Sequence, residues 1–255
     1  MANIDTKHQL YHQVSIVGRA LGHETRLELI EILAQSPRTV EVLASLISTD
    51  LKSVSNHLQI LARAGLVTAT REGRCQRYAL SGAWVADLAV TLRAAAEKAL
   101  ESLAELDRQI RADADVISME EAAARVEAGR MMLVDVRPAS EYAAGHIPGA
   151  LHAEGHEIEA LALRLPEGTE LGAYCRGPYC FLARDAAQAL AKKGRTLHIV
   201  RDGVMEWRAR GGVLETSADA SAGAETPHRT SEAKRCRRAG RPDRPTNQTD
   251  QSGPT

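Results

Sequence analysis

The stretch Glu170–Leu190, ELGAYCRGPYCFLARDAAQAL, decides the fold of its half of the chain. Glu170-Leu171-Gly172-Ala173-Tyr174 is a short strand-like run. Phe181–Leu190 has helical spacing, with apolar positions at Leu182, Ala186 and Leu190. Cys175 therefore closes a strand, and the loop Cys175–Cys180 runs into a helix N-terminus. Amide N–H groups and the helix dipole favour an anion at such a place. A thiolate is an anion, so the placement makes Cys175 a candidate nucleophile, with Arg176 beside it. Two buried, inert cysteines are the bland alternative. The Gly and Pro inside the loop, between a strand and a helix, favour the reactive reading.

Outward from this loop the pattern alternates. Ser118-Met119-Glu120-Glu121 is a capping-box pattern opening a helix that ends at Gly129. Met131–Arg137 is an apolar strand of the fully buried kind. A short helix and turn follow over Pro138–Ala150, then a helix over Ile158–Leu165. After the loop and its helix, Thr196–Val200 is a further strand. Residues 112–216 thus predict an α/β domain with a central parallel sheet covered by helices. Sites in such sheets lie beyond the carboxyl ends of strands, where Cys175 falls.

This half resembles the rhodanese family of sulfurtransferases. The resemblance rests on Leu133-Val134-Asp135-Val136-Arg137, Glu141-Tyr142, Gly145–Ala150, the cysteine loop, Asp202–Trp207 and Gly211-Gly212. It implies that Cys175 takes up a sulfane sulfur as a persulfide held by the loop amides. It also implies that Asp135, Arg137 and His146 form the scaffold of the site. Related phosphatases and arsenate reductases have a loop one residue longer that ends in Arg. Cys180 stands at the sixth position here, which disfavours that chemistry. Cys180 is either a resolving thiol for Cys175 or a small residue at a helix start. Arg176 either draws in an anionic donor such as thiosulfate or is simply solvated.

Residues 1–82 read differently. Met1–Gln13 is a polar helical arm whose His8 and His12 read as solvated. Val14–Ala34 carries helix-period apolar residues, Leu27 among them, interrupted at Gly22-His23-Glu24. Thr39 is a candidate N-cap for a short helix through Ile47, with Val42, Leu43 and Leu46 facing in. Asp50 can cap the next helix, Leu51–Ala64, which is expected to bury Leu51, Val54, Leu58 and Leu61. Lys52, Ser53, Ser55, Asn56, Gln59 and Arg63 occupy its other faces, and Gly65 ends it. Two strands follow around Arg71-Glu72-Gly73-Arg74, carrying Arg71, Arg74 and Arg77. Helix, turn, helix and basic hairpin make a winged helix-turn-helix. Its second helix can read base edges and its hairpin can meet phosphates.

Here the chain resembles the ArsR-type repressors, on Ala20–Leu27, Val54–Leu58, Leu61–Val67 and Glu72-Gly73-Arg74. The resemblance implies a homodimer that binds a palindromic operator in double-stranded DNA and releases it on a signal. His57 reads as structural. Residues 83–111 predict one long helix, Trp84–Ile110, with a near-heptad seam from Val85 to Ile110. At ~1.5 Å per residue it would span roughly 40 Å and suit a dimer. The family's metal sites are missing. Thr39–Ile47 has no Cys or His, and the long helix has Asp87 but no His. The cysteine pair of persulfide-sensing relatives is missing too, and the wing itself holds one cysteine, Cys75. No metal and no cofactor are expected.

The chain of 255 residues has 44% hydrophobic but only 3% aromatic residues, so Leu, Val, Ile and Ala must build its cores. A formal charge of −1 gives no global attraction to nucleic acid, so any such contact is local. No apolar run approaches a membrane span, and four scattered cysteines read as thiols rather than a disulfide framework. A soluble, cytoplasmic protein is expected. Residues 217–255 read as a disordered tail with a basic cluster, Lys234–Arg238, around Cys236. The whole reads as a transcriptional repressor whose rhodanese-like half senses or transfers sulfane sulfur from thiosulfate, persulfide or polysulfide. A sulfurtransferase tethered to DNA, or a metalloid-responsive repressor using Cys175 and Cys180, is the alternative.

Overall fold

The computed structural model describes residues 2–112, 114–166 and 168–216, so the expected tail lies outside the described residues. In the N-terminal half, α1 (Ala2–Leu21) and α2 (Glu24–Gln35) break at Gly22-His23, as the sequence pattern predicts. A two-residue strand β1 (Arg38–Thr39) leads into α3 (Val40–Leu46) and α4 (Leu51–Arg63). Asp50 caps α4 by accepting the Ser53 amide at 2.9 Å. The left-handed φ of 73° at Gly65 turns the chain out of α4 toward the hairpin. That hairpin is β2 (Val67–Glu72) and β3 (Cys75–Leu80), and β1 adds to its other edge in the order β1-β3-β2.

Apolar residues spaced three and four apart place Val54, Leu58 and Leu61 in a core with Leu29, Ile30 and Leu43, all fully buried. Three residues expected to face this core do not. Leu46, the last residue of α3, is 40% exposed, and Leu51, the first of α4, is 50% exposed. Leu27, 36% exposed, turns instead to a cavity along α2.

The single long helix is also corrected. It is two helices, α5 (Ala83–Ala99) and α6 (Glu101–Arg111), separated by Leu100 in an extended conformation (φ −115°, ψ 101°). No Gly or Pro causes the break. It turns Leu103, Leu106 and Ile110 toward Phe181 beside the cysteine loop. There Arg111 donates to the Pro178 carbonyl at 3.0 Å, and Arg184 donates to the Ile110 carbonyl. Tertiary contacts override local helix preference. The expected seam is divided accordingly: Val85 and the partly buried Leu88 join the N-terminal core, while Leu103, Leu106 and Ile110 face the loop.

The C-terminal half begins with β4 (Val116–Ile117) and α7 (Met119–Glu127), whose Ser118 cap accepts the Glu121 amide at 3.1 Å. Next come β5 (Met131–Asp135), α8 (Ala139–Ala144), β6 (Leu151–His152) and α9 (Ile158–Arg164). They are followed by β7 (Glu170–Tyr174), α10 (Leu182–Ala191), β8 (His198–Val200) and α11 (Val204–Ala209). The five strands are all parallel, in the order β4-β8-β7-β5-β6. Because successive strand side chains point to opposite faces, Val134 and Ala173 pack under α9 and α10. Leu133 and Tyr174 join the other layer with Ile117, Ala122 and Val204. The cysteine loop leaves the carboxyl end of β7, flanked by β5 and β8.

Candidate functional site

Cys175 follows Tyr174, the last residue of β7, and is 3% exposed. Its sulfur is bonded to Cys180, with the two Cα atoms 6.3 Å apart. The two cysteines, expected as thiols, are thus joined across the loop. The Cys180 amide closes the loop by donating to the Gly177 carbonyl at 3.2 Å. Gly203, just before α11, lies so close to the loop that a Cβ there would collide with the backbone of Cys175 and Arg176. The loop is thus pinned from the C-terminal half by a glycine that tolerates no side chain.

Arg176 is neither solvated nor turned to an open anion pocket. Its guanidinium grips the fully buried Glu141 of α8, with Nη2–Oε1 at 2.7 Å and Nε–Oε2 at 3.0 Å. The same Oε1 lies 3.7 Å from Arg38 of β1, which also bonds Ser140 at 2.9 Å. One carboxylate therefore serves a cation from each half of the chain. Arg137 is fully buried on Asp135, with Nη2–Oδ2 at 2.5 Å, and donates to the Gly145 carbonyl at 2.8 Å. It also donates to Gln35 of α2 at 2.7 Å, so the expected scaffold pair reaches into the N-terminal half as well. His146 stacks on Tyr142 at 3.8 Å, with its Nδ1 3.0 Å from the Tyr142 carbonyl.

A second contact lies over Gly177. Glu31 of α2 and Glu206 of α11 face it, and a Cβ on Gly177 would meet Glu31 Oε1 at 3.2 Å. Glu206 pairs with Arg93 of α5 and caps the Gly203 amide at 2.8 Å. Burial pushes the Glu31 carboxyl above the usual carboxylate range, against the pull of Arg93 and Arg176 and helped by Glu206 and Glu28. Burial raises Glu28 in the same way. Met205 of α11, 2% exposed, packs into the core of the N-terminal half. Tyr179 leaves the loop to donate to Glu97 at 2.9 Å, and its hydroxyl is pushed up to about 12 by burial and this carboxylate.

Beside the loop lies an apolar cleft of about 200 Å³, with Leu103, Leu106, Ile110, Phe181 and Ile199 in its wall. Cys180 lines it and Cys175 does not.

In α4, Lys52, Asn56, Gln59 and Arg63 form one exposed stripe, with Ser53 and Ser55 half-buried beside it. Arg71 and Arg74 are exposed on the wing. Arg77 is committed elsewhere, to Glu72 at 3.0 Å and the Pro37 carbonyl at 2.7 Å. The His57 ring lies 4.4 Å from that of His23, and burial lowers its affinity for a proton, in keeping with a structural role. Cys75 is buried in the wing. Among the described residues no group of three or more His, Cys, Asp or Glu side chains could hold a metal ion.

Glu141, Glu31, Arg93, Glu206, Met205 and Arg38 were not marked as site residues by the sequence pattern. Glu141 and Glu206 lie within the motifs that carry the resemblance, but no local spacing reveals their partners in the other half.

A helix-turn-helix domain model matches residues 21–69, and a rhodanese-like domain model matches residues 118–210. The HTH-type transcriptional regulator Rv0324 of Mycobacterium tuberculosis is 39% identical over 208 residues, 81% of this chain and 92% of its own length. The regulator CmtR of Mycobacterium tuberculosis is 40% identical over 70 residues, 28% of this chain and 59% of its own. A solution structure of the homodimeric winged helix-turn-helix DNA-binding domain of Mb0332 from Mycobacterium bovis, a possible ArsR-family regulator, is 40% identical. It covers 38% of this chain and 91% of that chain, with a TM-score of 0.36. No described helix is long and apolar enough to cross a membrane.

Proposed function

From the premise that this chain belongs to the ArsR-type winged helix-turn-helix transcriptional regulators with a C-terminal rhodanese-like domain, we propose that it is a repressor whose input is the Cys175–Cys180 pair. The observation that carries the reading is the cover over the loop. Glu31 of the DNA-binding half lies over Gly177, and Glu141 joins Arg176 to Arg38. Any chemistry that reshapes the loop must disturb contacts made by α2, α5 and β1.

The chemistry is sulfane sulfur exchange. A persulfide or polysulfide donor passes its outer sulfur to the Cys175 thiolate and leaves as a thiolate one sulfur shorter. The Cys180 thiolate then attacks the Cys175 sulfur, expels hydrosulfide, and leaves the disulfide. A Cα separation of 6.3 Å is within reach of that step. Thiosulfate is a donor by the same route, with sulfite leaving. The loop is covered by the DNA-binding half and Cys175 is buried, which favours a switch over sustained sulfurtransferase turnover.

The output is double-stranded operator DNA, read in the cytoplasm by Lys52, Ser53, Ser55, Asn56, Gln59 and Arg63 of α4, with Arg71 and Arg74 on phosphates. One winged domain reads one half-site, so the reading includes a homodimer. Ile4, Leu10, Tyr11 and Val14 of α1 and Trp84 and Leu92 of α5 are exposed apolar residues, and they support a dimer contact centred on α1 and the first part of the 84–110 segment.

The test is a gel-shift titration of operator DNA with the reduced protein, repeated after polysulfide and after thiosulfate, with wild type and Cys175→Ser. Operator affinity is expected to change in the wild type and to stay constant in the variant. Unchanged affinity of the wild type under both donors would sink the sensing role.

A further inference from the structure

The two sulfurs of the pair are not equally placed. Cys175 is 3% exposed and packs in the core beneath α9 and α10. Cys180 is half-buried and forms part of the wall of the apolar cleft between α6 and the start of α10. Leu106 and Phe181 flank the cleft and are each about half exposed (52% and 51%), so its mouth is open. The break at Leu100 creates this cleft by folding α6 against the loop. Its charged lining is two guanidiniums, Arg111 and Arg184, and one carboxylate, Asp107.

We infer that this cleft is the exchange site of the switch, and that its ligand is a small organic thiol, or the matching disulfide, with an apolar body and tolerance for one negative charge. The inference rests on the proposed sulfur-responsive reading and adds to it the sulfur that is attacked and the reagent that resets it. The incoming thiolate attacks Cys180 Sγ, and the Cys175–Cys180 bond breaks. A mixed disulfide forms on Cys180 and Cys175 departs as a thiolate that takes up a proton. A second thiol attacks the ligand sulfur of the mixed disulfide, releasing Cys180 and a symmetrical organic disulfide. Two thiols are oxidised and one protein disulfide is reduced to a dithiol. A hydrophilic thiol of equal acidity loses the contacts with Leu103, Leu106, Ile110 and Phe181 and reacts more slowly.

The experiment runs the exchange in the thiol-to-disulfide direction on the full chain. Cys175→Ser and Cys180→Ser are reduced, freed of reductant and mixed with dithiobis-nitrobenzoate, an aromatic disulfide bearing carboxylates, or with hydroxyethyl disulfide. Peptide mass spectrometry assigns the label, separating Cys180 and Cys175 from Cys75 and Cys236. Cys180 is expected to be labelled on the order of tenfold faster than Cys175, with the aromatic reagent preferred. Leu106→Glu and Phe181→Ser, both at exposed positions, are expected to lower the preference shown by Cys180 severalfold, toward the value that the reagent's acidic leaving group sets by itself. Faster labelling of Cys175, or a preference untouched by both cleft variants, overturns the exchange site while leaving the sulfur-responsive reading standing. Absence of label on both cysteines overturns both.

Discussion

Arg176 and Arg38 share one carboxylate: Glu141 Oε1 lies 2.7 Å from the first and 3.7 Å from the second, and Glu141 is fully buried. Arg176 belongs to the cysteine loop. Arg38 belongs to the strand whose neighbour β3 carries the wing, in the register Arg38 opposite Tyr78. A buried carboxylate with a cation on each side is a tie, because neither cation can leave without stranding charge in a dry place.

Glu141→Gln leaves both guanidiniums without their counter-charge. Removing one member of a buried ion pair costs roughly 3–5 kcal/mol. The urea midpoint of the variant, followed by circular dichroism, is expected to fall accordingly. A midpoint within error of wild type would show that the tie carries no stability.

Met205 is the apolar counterpart of that tie. It comes from α11 yet is 2% exposed within the core of the DNA-binding half. Met205→Ala is expected to cost about 2–5 kcal/mol, the range for deleting a buried side chain of this size. It should also weaken the response of operator binding to polysulfide while leaving Cys175 and Cys180 able to form their disulfide. Retention of the full response, measured by anisotropy of labelled operator, would remove α11 from the coupling route.

Patterns confined to one element were readable from the chain. The strand, cysteine loop and helix from Glu170 to Leu190, the Asp50 and Ser118 caps and the wing all follow from residues a few positions apart. The break at Leu100 was not readable, because the contacts made by the helix beyond it, to Pro178, Phe181 and Arg184, lie far along the chain. Arg176 was open between an anion site and a solvated residue for the same reason: its partner Glu141 is 35 positions away. Leu51 and Leu46 fit the helical period, yet a period says which face is apolar and not where the core ends. The site lies between two halves that each look self-sufficient in sequence, so its residues in the N-terminal half carried no local mark.

Acidity should favour the cover over the loop. Glu31 of α2 is surrounded by Glu28 on its own helix, Arg93 of α5, Arg176 of the loop and Glu206 of α11, and burial raises its pKa in the folded chain. A carboxyl raised on folding binds more protons folded than unfolded. Its burial penalty is therefore in force above the folded pKa and is relieved as pH falls toward the ordinary carboxylate value. Stability near this contact is expected to rise on mild acidification, before other carboxylates titrate. Glu31→Gln should raise the thermal midpoint at neutral pH and flatten that rise. A variant with the same slope as wild type would assign the pH response to other groups.

The wing and the recognition helix should separate in how they depend on salt. Asn56 and Gln59 stand in the exposed stripe of α4 and suit adenine edges, whereas Arg74 stands exposed at the wing tip. Asn56→Ala is expected to cost about 1–3 kcal/mol of operator binding and to relax specificity at one base position. Arg74→Ala should weaken binding to every sequence alike and reduce the slope of log affinity against log salt by about 1. Arg77 was grouped with it by sequence, yet its guanidinium bonds Glu72 and the Pro37 carbonyl. Arg77→Ala should therefore leave the salt slope nearly unchanged and act instead by loosening the hairpin against β1. Anisotropy titrations of each variant across a range of salt distinguish the roles: an equal loss of slope for Arg74 and Arg77 would place both on phosphates and overturn the distinction drawn from their contacts.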